Sequence, residues 1–298
     1  MNLTARLLVV GSLAMLPPSG LAQVSTPARP TVPGASSTAG SPDPHAPRTI
    51  DGLDTVFMEE MTWMEIRDAL KAGRDTVIVA TGGLEQNGPY LVSAKHNIIL
   101  RATTEAIARK LGNALVSSII QFVPEGDIDP PSGHMKYPGT ISLSASTFEA
   151  LLTDIASSLR TNGFKTIVFI GDSGGNQAGM KRVAEGLGAK WAALGASTRI
   201  HFIPEYYQYA ALQDWIAQTL GVAQVDEGLH DDYAISSMMA LVDPTSIRYK
   251  QRVAKGKDTI NGATLSPLAA TQANARRIVA YRADATITAL KKAMAAEK

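Results

Sequence analysis

Apolar residues recur along this chain in two patterns, short β-branched runs and longer stretches with helical spacing. Residues 76–81 (TVIVAT) and 166–171 (TIVFIG) are runs of the first kind, which predict strands buried on both faces. The predicted strands are 76–81, 114–123, 166–171 and 199–204, and the predicted helices are 58–72, 97–111, 146–160, 177–187, 233–241 and 267–295. Because strand and helix alternate, the chain predicts an α/β fold with a layered, mostly parallel β-sheet flanked by helices.

The first 48 residues lack this pattern. Residues 1–22 contain Arg6, an apolar run and then Ala22 after a helix-breaking Pro/Gly segment, an order typical of a secretory signal peptide cleaved near Ala22. The apolar run is shorter than the roughly 20 residues of a membrane-spanning helix, which leaves an uncleaved anchor as the alternative. Residues 23–48, rich in Pro, Ser and Thr, predict a disordered linker before an α/β domain at 49–298. We therefore expect a periplasmic or secreted protein.

The composition narrows the chemistry further. Lys and Arg total 28 against 27 Asp and Glu, a formal net charge of +1, so we expect no nucleic-acid partner and no membrane association after signal cleavage. Cysteine is absent, which excludes thiolate metal ligands and cysteine nucleophiles. Metal binding and acid–base catalysis must then come from the five histidines and the carboxylates. A small-molecule substrate fits this balance best.

Polar side chains cluster just after two of the predicted strands. Glu85 and His96 follow the strand at 76–81, and Asp172 follows the strand at 166–171. Ligands of open α/β sheets bind beyond the carboxyl ends of the strands, so these groups are expected to meet there. His230 lies beside two further aspartates at the start of a predicted helix. Histidine and carboxylate groups on separate loops predict a metal site.

Simpler interpretations of the same residues remain open. Asp232 also fits a helix cap, because it directly precedes the helix predicted from residue 233. The glycine-rich segment 171–176 fits a phosphate cradle, although it lacks the lysine of a P-loop. The same segment satisfies G-x-S-x-G between a strand and a helix, which makes Ser173 a candidate nucleophile with His230 as its base.

Four segments resemble the creatininase family. Residues 82–91 (GGLEQNGPYL) resemble its G-S-x-E-Q-H-G-P-H-L, and residues 137–143 (YPGTISL) resemble its F-P-G-T-I-S-L. Residues 171–176 stand where the family has N-G-H-G-G-N, and residues 230–239 where it has H-A-G-E-x-E-T-S-x-M. The resemblance extends over nearly all of 50–245 and implies a layered α/β, metal-dependent hydrolase that opens cyclic amides and related C–N bonds, often as a hexamer.

The family's site residues match this chain unevenly. Glu85 stands where the family has its first glutamate ligand, and His230 where it has a catalytic histidine. His134, ahead of the P-G-T motif, also matches. By contrast, Asn87 replaces a family histidine and His96 replaces a family aspartate. The resemblance therefore implies a metal site at the strand ends, with an altered set of ligands.

Two interpretations follow from these changes. Either the two-metal centre is lost and the protein is a non-catalytic binding protein, or the site is rebuilt around a single metal. Ser173 replaces the histidine of N-G-H-G-G-N, but Asp172 stands beside it, and two aspartates follow His230. Because new ligand-type residues stand near the lost ones, we favour the rebuilt site.

The rebuilt site is predicted to hold one Zn²⁺ or Mn²⁺ per chain, which activates a water molecule for hydrolysis. The predicted metal ligands are Glu85, His96, Asp172 and Asp232; the catalytic residues are His230, Ser173 and His134; the substrate-binding residues are Asn87, Asn176 and Tyr90. The sequence thus predicts an exported, metal-dependent hydrolase of a small cyclic amide, amide or lactone, acting on non-peptide C–N bonds. The resemblance implies a homo-oligomer.

Overall fold

A computed structural model describes residues 42–296, so the predicted signal peptide and most of the predicted linker lie outside the described residues. The chain divides into two compact units, one up to Ala46 and one from Pro47. The described residues of the first unit form a turn, in which the Ala46 N–H donates to the Asp43 carbonyl at 3.1 Å. Every helix and strand among residues 42–296 belongs to the second unit. None of these helices is long and apolar enough to cross a membrane.

Four parallel strands form the central sheet of the second unit. They are β1 (Thr76–Thr81), β2 (Ala114–Val116), β3 (Thr166–Gly171) and β4 (Arg199–Phe202), in the spatial order β2-β1-β3-β4. The β1 and β3 strands are in register from Thr76 opposite Thr166 to Thr81 opposite Gly171, so both end at the same edge. Every residue of these two strands is buried, as their unbroken apolar runs predict.

Helices cover both faces of this sheet. The helices are α1 (Trp63–Lys71), α2 (Lys95–Leu111), α3 (Ala145–Thr161), α4 (Gly174–Ala193), α5 (Tyr209–Leu220), α6 (Tyr233–Val242), α7 (Tyr249–Ala254) and α8 (Leu268–Ala295). Val77 and Val79 point to the face packed by α1, α3 and α4, and Ile78 and Ala80 to the face packed by α2 and α8. Helices α5 and α6 pack outside α2 and α8 in a third cluster. The predicted α/β fold is therefore confirmed.

Several elements differ from the sequence expectation, among them α7, which was not predicted. The strand predicted at 114–123 ends at Val116, although the Ser117 N–H still donates to the Ile78 carbonyl of β1 at 2.9 Å. Beyond it, Ile120 forms an isolated bridge to Thr81. Helix α5 was not predicted, although its buried Leu212 and Ile216 lie four residues apart. The sequence analysis also missed the hairpin of β5 (Thr259–Ile260) and β6 (Ala263–Thr264), which is only two residues deep.

Candidate metal centre at the strand ends

The site begins where β1 ends, in a turn of two glycines. The Asn97 side chain exchanges two hydrogen bonds with Gly83: its Oδ1 accepts from the N–H and its Nδ2 donates to the carbonyl, both at 3.1 Å. A Cβ on Gly82 would lie 1.9 Å from Asn97 Oδ1, so only glycine fits there. This clamp fixes the chain as it leaves the sheet and leads it to Glu85, whose side chain is buried.

A buried imidazole joins the ends of β1 and β3. His96, in the first turn of α2, has its Nε2 2.8 Å from Glu85 Oε1 and its Nδ1 2.8 Å from Asp172 Oδ2. The guanidinium of Arg282 on α8 donates to Asp172 Oδ1 at 2.8 Å. The Tyr209 hydroxyl donates to the same oxygen at 3.2 Å. Glu85, His96, Asp172 and Arg282 thus form one hydrogen-bonded chain, called here the ion chain.

The charges of the ion chain follow from these contacts. Both His96 nitrogens face carboxylates, so both donate. Burial alone would lower the pKa of His96, but the hydrogen bonds to Asp172 and Glu85 outweigh it and raise that pKa. Burial likewise opposes ionisation of Asp172, but the charge of Arg282 and the His96 hydrogen bond hold its pKa below the ordinary value. The ion chain therefore alternates negative and positive groups along its length.

A lysine also reaches Glu85. Lys95 is 1% exposed, and its Nζ lies 3.1 Å from Glu85 Oε1 and 3.4 Å from His230 Nε2. Burial would raise the pKa of Glu85, but the His96 hydrogen bond and the Lys95 charge outweigh it and lower that pKa. Glu85 is therefore ionised, with two cationic groups on its Oε1.

The other side of Glu85 faces two further histidines. His134 Nε2 lies 3.1 Å from Glu85 Oε2, and His230 Nε2 lies 3.7 Å from Glu85 Oε1. The two imidazole rings stack, with their centroids 4.5 Å apart. Among residues 42–296, Glu85, His134 and His230 form a group of potential metal-ligand atoms that all lie within 4.8 Å of one another. We call these three residues the Glu85 triad.

The backbone prepares His230 to offer a lone pair. Its Nδ1 lies 2.9 Å from the Gln86 carbonyl oxygen, which can only accept, so Nδ1 bears the proton and Nε2 carries the lone pair, which faces Lys95 Nζ at 3.4 Å. Burial, together with the charge of Lys95, lowers the pKa of His230 and favours its neutral form. The backbone of His230 has φ 54°, a left-handed conformation that is uncommon for histidine. Such a carbonyl-held imidazole is typical of metal-ligating histidines.

A second glutamate stands behind the first. Glu125 is 5% exposed, and burial, with the nearby Glu85 charge, raises its pKa to about 9. It therefore keeps its proton at pH 7, next to the ionised Glu85. A Cβ on Gly83 would lie 2.0 Å from Glu125 Oε1, so this glycine makes room for the second carboxyl group. The two glutamates together hold one negative charge.

A cavity of about 660 Å³ opens beside the site. It is lined in part by Lys95, His96, Asp172, Tyr209 and His230. A volume in this range accommodates a small organic ligand. His96 and Asp172 of the ion chain and His230 of the Glu85 triad therefore border space that a substrate can enter.

Comparisons with known proteins identify the family of the chain and its fold. A family model described as "Creatininase: Creatinine amidohydrolase" matches residues 59–296. The chain belongs to the creatininase family. It is 28% identical to creatinine amidohydrolase of Pseudomonas putida over 116 residues, 39% of this chain and 44% of that protein. It is 29% identical to the mycofactocin precursor peptide peptidase of Mycobacterium ulcerans (strain Agy99) over 133 residues, 41% of this chain and 51% of that protein.

The chain spans about half the length of these curated relatives in the matched regions. Solved creatininase structures match it more broadly. A manganese form described as "Creatininase Mn" has a TM-score of 0.57 at 18% identity, covering 82% of this chain and 99% of that one. A glutamate-to-glutamine mutant of "Zn-Zn type" has a TM-score of 0.56, with the same identity and coverage. At such identities the likeness shows the creatininase fold alone, which confirms the layered α/β architecture.

This creatininase-family chain brings three of its four predicted metal ligands together, but in hydrogen bonds to one another. Glu85, His96 and Asp172 form the ion chain, where both His96 nitrogens are already bonded to carboxylates. Asp232, the fourth, caps α6: its Oδ1 accepts from the Ile235 N–H and its Oδ2 from Gln213, both at 2.7 Å. The group with potential metal-ligand atoms close together instead joins Glu85 to His134 and His230, which were predicted to be catalytic.

The predicted substrate-binding residues have contacts within the protein. Asn87 donates to the Glu85 carbonyl at 2.9 Å and so shapes its own loop. Asn176 donates to the Gly82 carbonyl at 2.8 Å, which ties α4 to the end of β1. The Tyr90 ring stacks on the guanidinium of Arg252, 4.6 Å from the ring centroid. The lining of the large cavity includes none of these three residues.

Ser173 lies at the start of α4, where its side chain makes no capping hydrogen bond. In the described part of the chain, no hydrogen bond joins its hydroxyl to an imidazole: His230 bonds Gln86 and Lys95, and His96 bonds the two carboxylates of the ion chain. The serine and the histidine of the predicted nucleophile–base pair are therefore not paired in this structure.

Sequence reasoning missed the cations and the second acid of the site. Lys95 directly precedes a predicted ligand, and Glu125 lies in the loop that also contains His134. Arg282 left a clearer signal, because it continues the apolar stripe of Ile278 and Val279 on α8. A charged residue on the buried stripe of a helix predicts a buried partner of opposite charge.

The Glu85 triad fits a single divalent metal. Two imidazoles and one carboxylate form a common catalytic zinc set, and the triad offers these groups within 4.8 Å. The observation that decides the fit is the Nδ1 bond of His230 to the Gln86 carbonyl, which leaves Nε2 with its lone pair toward the site. Oε2 of Glu85 is the oxygen nearer to His134, while Oε1 holds Lys95 and His96.

Proposed function

We propose that the protein is an exported hydrolase of a small amide, cyclic amide or lactone, with one divalent metal ion held by the Glu85 triad. The observation behind this proposal is the juxtaposition of Glu85, His134 and His230 at the strand ends, with His230 lining the cavity of about 660 Å³. Membership of the creatininase family supports hydrolysis of C–N bonds, and we propose that these bonds are non-peptide. Zinc or manganese suits the donor set, and both are named for creatininase structures of similar fold.

The residues of the chain prepare the site in three ways. The Gln86 carbonyl fixes the His230 ring, so that the proton is on Nδ1 and the lone pair on Nε2. His96 holds Glu85 in place from the opposite side. Glu125 keeps a proton at its carboxyl group and so limits the glutamate pair to one negative charge. A divalent ion bound here would polarise a carbonyl group and acidify a water molecule.

This proposal gives His230 a different role from the one that the family resemblance implies. A proton-transferring His230 and a metal-ligating His230 predict different results for His230→Gln. If His230 is a ligand, zinc affinity should fall together with hydrolysis, as it should for His134→Gln. If it only transfers protons, zinc should remain bound while hydrolysis is lost.

The test is zinc content and affinity of the full-length protein, purified without chelator. We expect about one zinc per chain for the wild type, and a loss of at least tenfold in affinity for Glu85→Gln, as is typical when a ligand group is removed. His45→Gln is the matched control, because His45 belongs to the other compact unit of the chain. A wild type that binds no zinc or manganese at millimolar concentrations would refute the proposal.

A second candidate function is non-catalytic binding on the same fold. The specific observation in its favour is that Lys95 and His96 already occupy Oε1 of the one retained family ligand, Glu85. A binding protein should take up its small ligand in the cavity with no metal present and release it unchanged. Metal binding with turnover of cyclic amides or lactones would exclude it.

Export and assembly complete the proposal. We propose that residues 1–22 direct the chain to the periplasm or outside the cell, that it forms a homo-oligomer, and that it binds neither nucleic acid nor membranes after cleavage. N-terminal sequencing of the secreted protein should give a start near residue 23. Light scattering should give a mass that is a multiple of the single chain.

A further inference from the structure

The most unusual group of the site is a buried ammonium ion. Lys95 is 1% exposed, although lysine is almost never fully buried unless it is paired. Its Nζ contacts Glu85 Oε1 at 3.1 Å and the lone-pair nitrogen of His230 at 3.4 Å, and it lines the cavity. These two contacts use two of the three ammonium protons, and the group borders space that a ligand can enter.

The two oxygens of Glu85 have different neighbours. Oε2 is the one 3.1 Å from His134, within the triad that we propose for the metal. Oε1 has the His96 ring at 2.8 Å, Lys95 at 3.1 Å and, farther away, His230 Nε2 at 3.7 Å. A carboxylate that bridges two metal ions would offer one oxygen to each ion. Here the second oxygen is already neutralised by protein cations.

We propose that Lys95 is a built-in second cation, which takes the place of a second metal ion on Glu85 and restricts the site to one metal. This inference rests on the proposed function, because it presupposes a metal on the other oxygen. An ammonium held beside the metal and facing the cavity can donate a hydrogen bond to a substrate oxygen as negative charge develops there. It supplies positive charge without requiring a further ligand, whereas His96 has no nitrogen left to offer, since both are bonded to carboxylates.

The test compares zinc binding by wild type, Lys95→Met, Lys95→Arg and the surface control Lys110→Met, by calorimetry and elemental analysis. Lys110 pairs with Asp284 at the protein surface, so its removal leaves the site unchanged. We expect one zinc for the wild type, the Lys110 variant and Lys95→Arg. For Lys95→Met we expect zinc affinity at least tenfold higher, because a positive charge next to the metal is removed. If Lys95→Met does not fold, Lys95→Gln replaces it, since its amide can still donate to Glu85.

The outcomes separate this inference from the proposed function. One zinc in the wild type, with unchanged or weaker affinity in Lys95→Met, would overturn the role of Lys95 and leave the hydrolase proposal intact. Two zinc ions in the wild type would also overturn the role of Lys95, because Lys95 would then not restrict the site to one metal. No zinc in the wild type but one in Lys95→Met would show that Lys95 excludes metal from the site altogether, and would overturn both its role as a second cation and the metal-dependent hydrolase. No zinc in either protein would overturn both.

Discussion

The buried carboxyl group of Asp231, beside the site, tests how much a buried charge lowers the stability of the fold. It is 7% exposed and follows His230. Its carboxylate accepts from the Asp232 N–H at 2.7 Å and from the Ser236 hydroxyl at 2.8 Å. Burial raises its pKa from 3.8 to about 7, and the neighbouring Asp232 carboxylate contributes in the same direction. The folded protein therefore prefers Asp231 in its neutral form.

The expected magnitude follows from linkage between protonation and folding. The change from 3.8 to about 7 corresponds to about 4 kcal/mol, at about 1.4 kcal/mol per tenfold change in equilibrium. Because the folded-state pKa is the higher one, the folded state binds more protons between these values. The contribution of Asp231 to stability is thus full below pH 4 and is lost as the pH rises to 7.

The perturbation is Asp231→Asn, which keeps the shape and remains neutral at every pH. We expect the variant to match the wild type near pH 4 and to exceed it by up to about 4 kcal/mol at pH 8. Urea unfolding of the full chain at several pH values, with chelator present, measures the difference in the free energy of unfolding. A difference that does not change with pH would refute the reasoning, because Asp231 would then ionise without penalty.

Asp243→Asn is the matched control, with the opposite sign. Hydrogen bonds from the hydroxyl and the N–H of Thr245 lower the pKa of Asp243, which is an exposed cap. A carboxylate with a lowered pKa stabilises the fold above its unfolded-state pKa, and the benefit is lost as the pH falls. This variant should therefore be less stable than the wild type at pH 8, with a smaller deficit at low pH.

Two further predictions concern the ion chain and the serine. His96→Gln removes the cation between two buried carboxylates and should lower the free energy of unfolding by about 3 kcal/mol, whereas Lys110→Gln at an exposed pair should cost less than about 1 kcal/mol in the same urea titration. Equal effects of the two changes would contradict a buried His96 cation. A fluorophosphonate should not label the wild type, because Ser173 has no imidazole partner in residues 42–296. Labelling that Ser173→Ala abolishes would restore the serine-hydrolase alternative.

Much of the fold could be predicted from local pattern. The apolar runs of β1 and β3 are unbroken because helices cover both faces of the sheet. The absence of polar positions within each run therefore indicates a strand that is buried on both faces. Helix α5 was missed because it has only two buried residues, too few to show a helical period. The β5–β6 hairpin was missed because each of its strands is only two residues long. Elements of this size are stabilised by tertiary contacts that a local pattern does not contain.

The site was predictable in its location but not in its bonding. Two parallel strands that end in register bring Glu85 and Asp172 to one edge, and the sequence placed both there. The role of His96 depends on whether its nitrogens are free, and this depends on Arg282, 110 residues from Asp172 along the chain. Arg282 holds Asp172 in place, and Asp172 accepts a hydrogen bond from His96. The His96 imidazole is therefore a cation between two carboxylates, with no nitrogen left to bind a metal.

The same charge balance explains why one metal is the expected maximum. Glu85 and Asp172 are the ionised acids of the ion chain, and the neighbouring Glu125 adds no negative charge because it keeps its proton. Three cationic groups, His96, Arg282 and Lys95, already outnumber these two negative charges within the protein. A divalent ion in the proposed site would then bind through the imidazoles of the Glu85 triad and the remaining oxygen of Glu85. Its affinity should therefore depend more steeply on Lys95 than on any change at the Asp172 end of the ion chain, where Arg282 and Tyr209 shield the carboxylate.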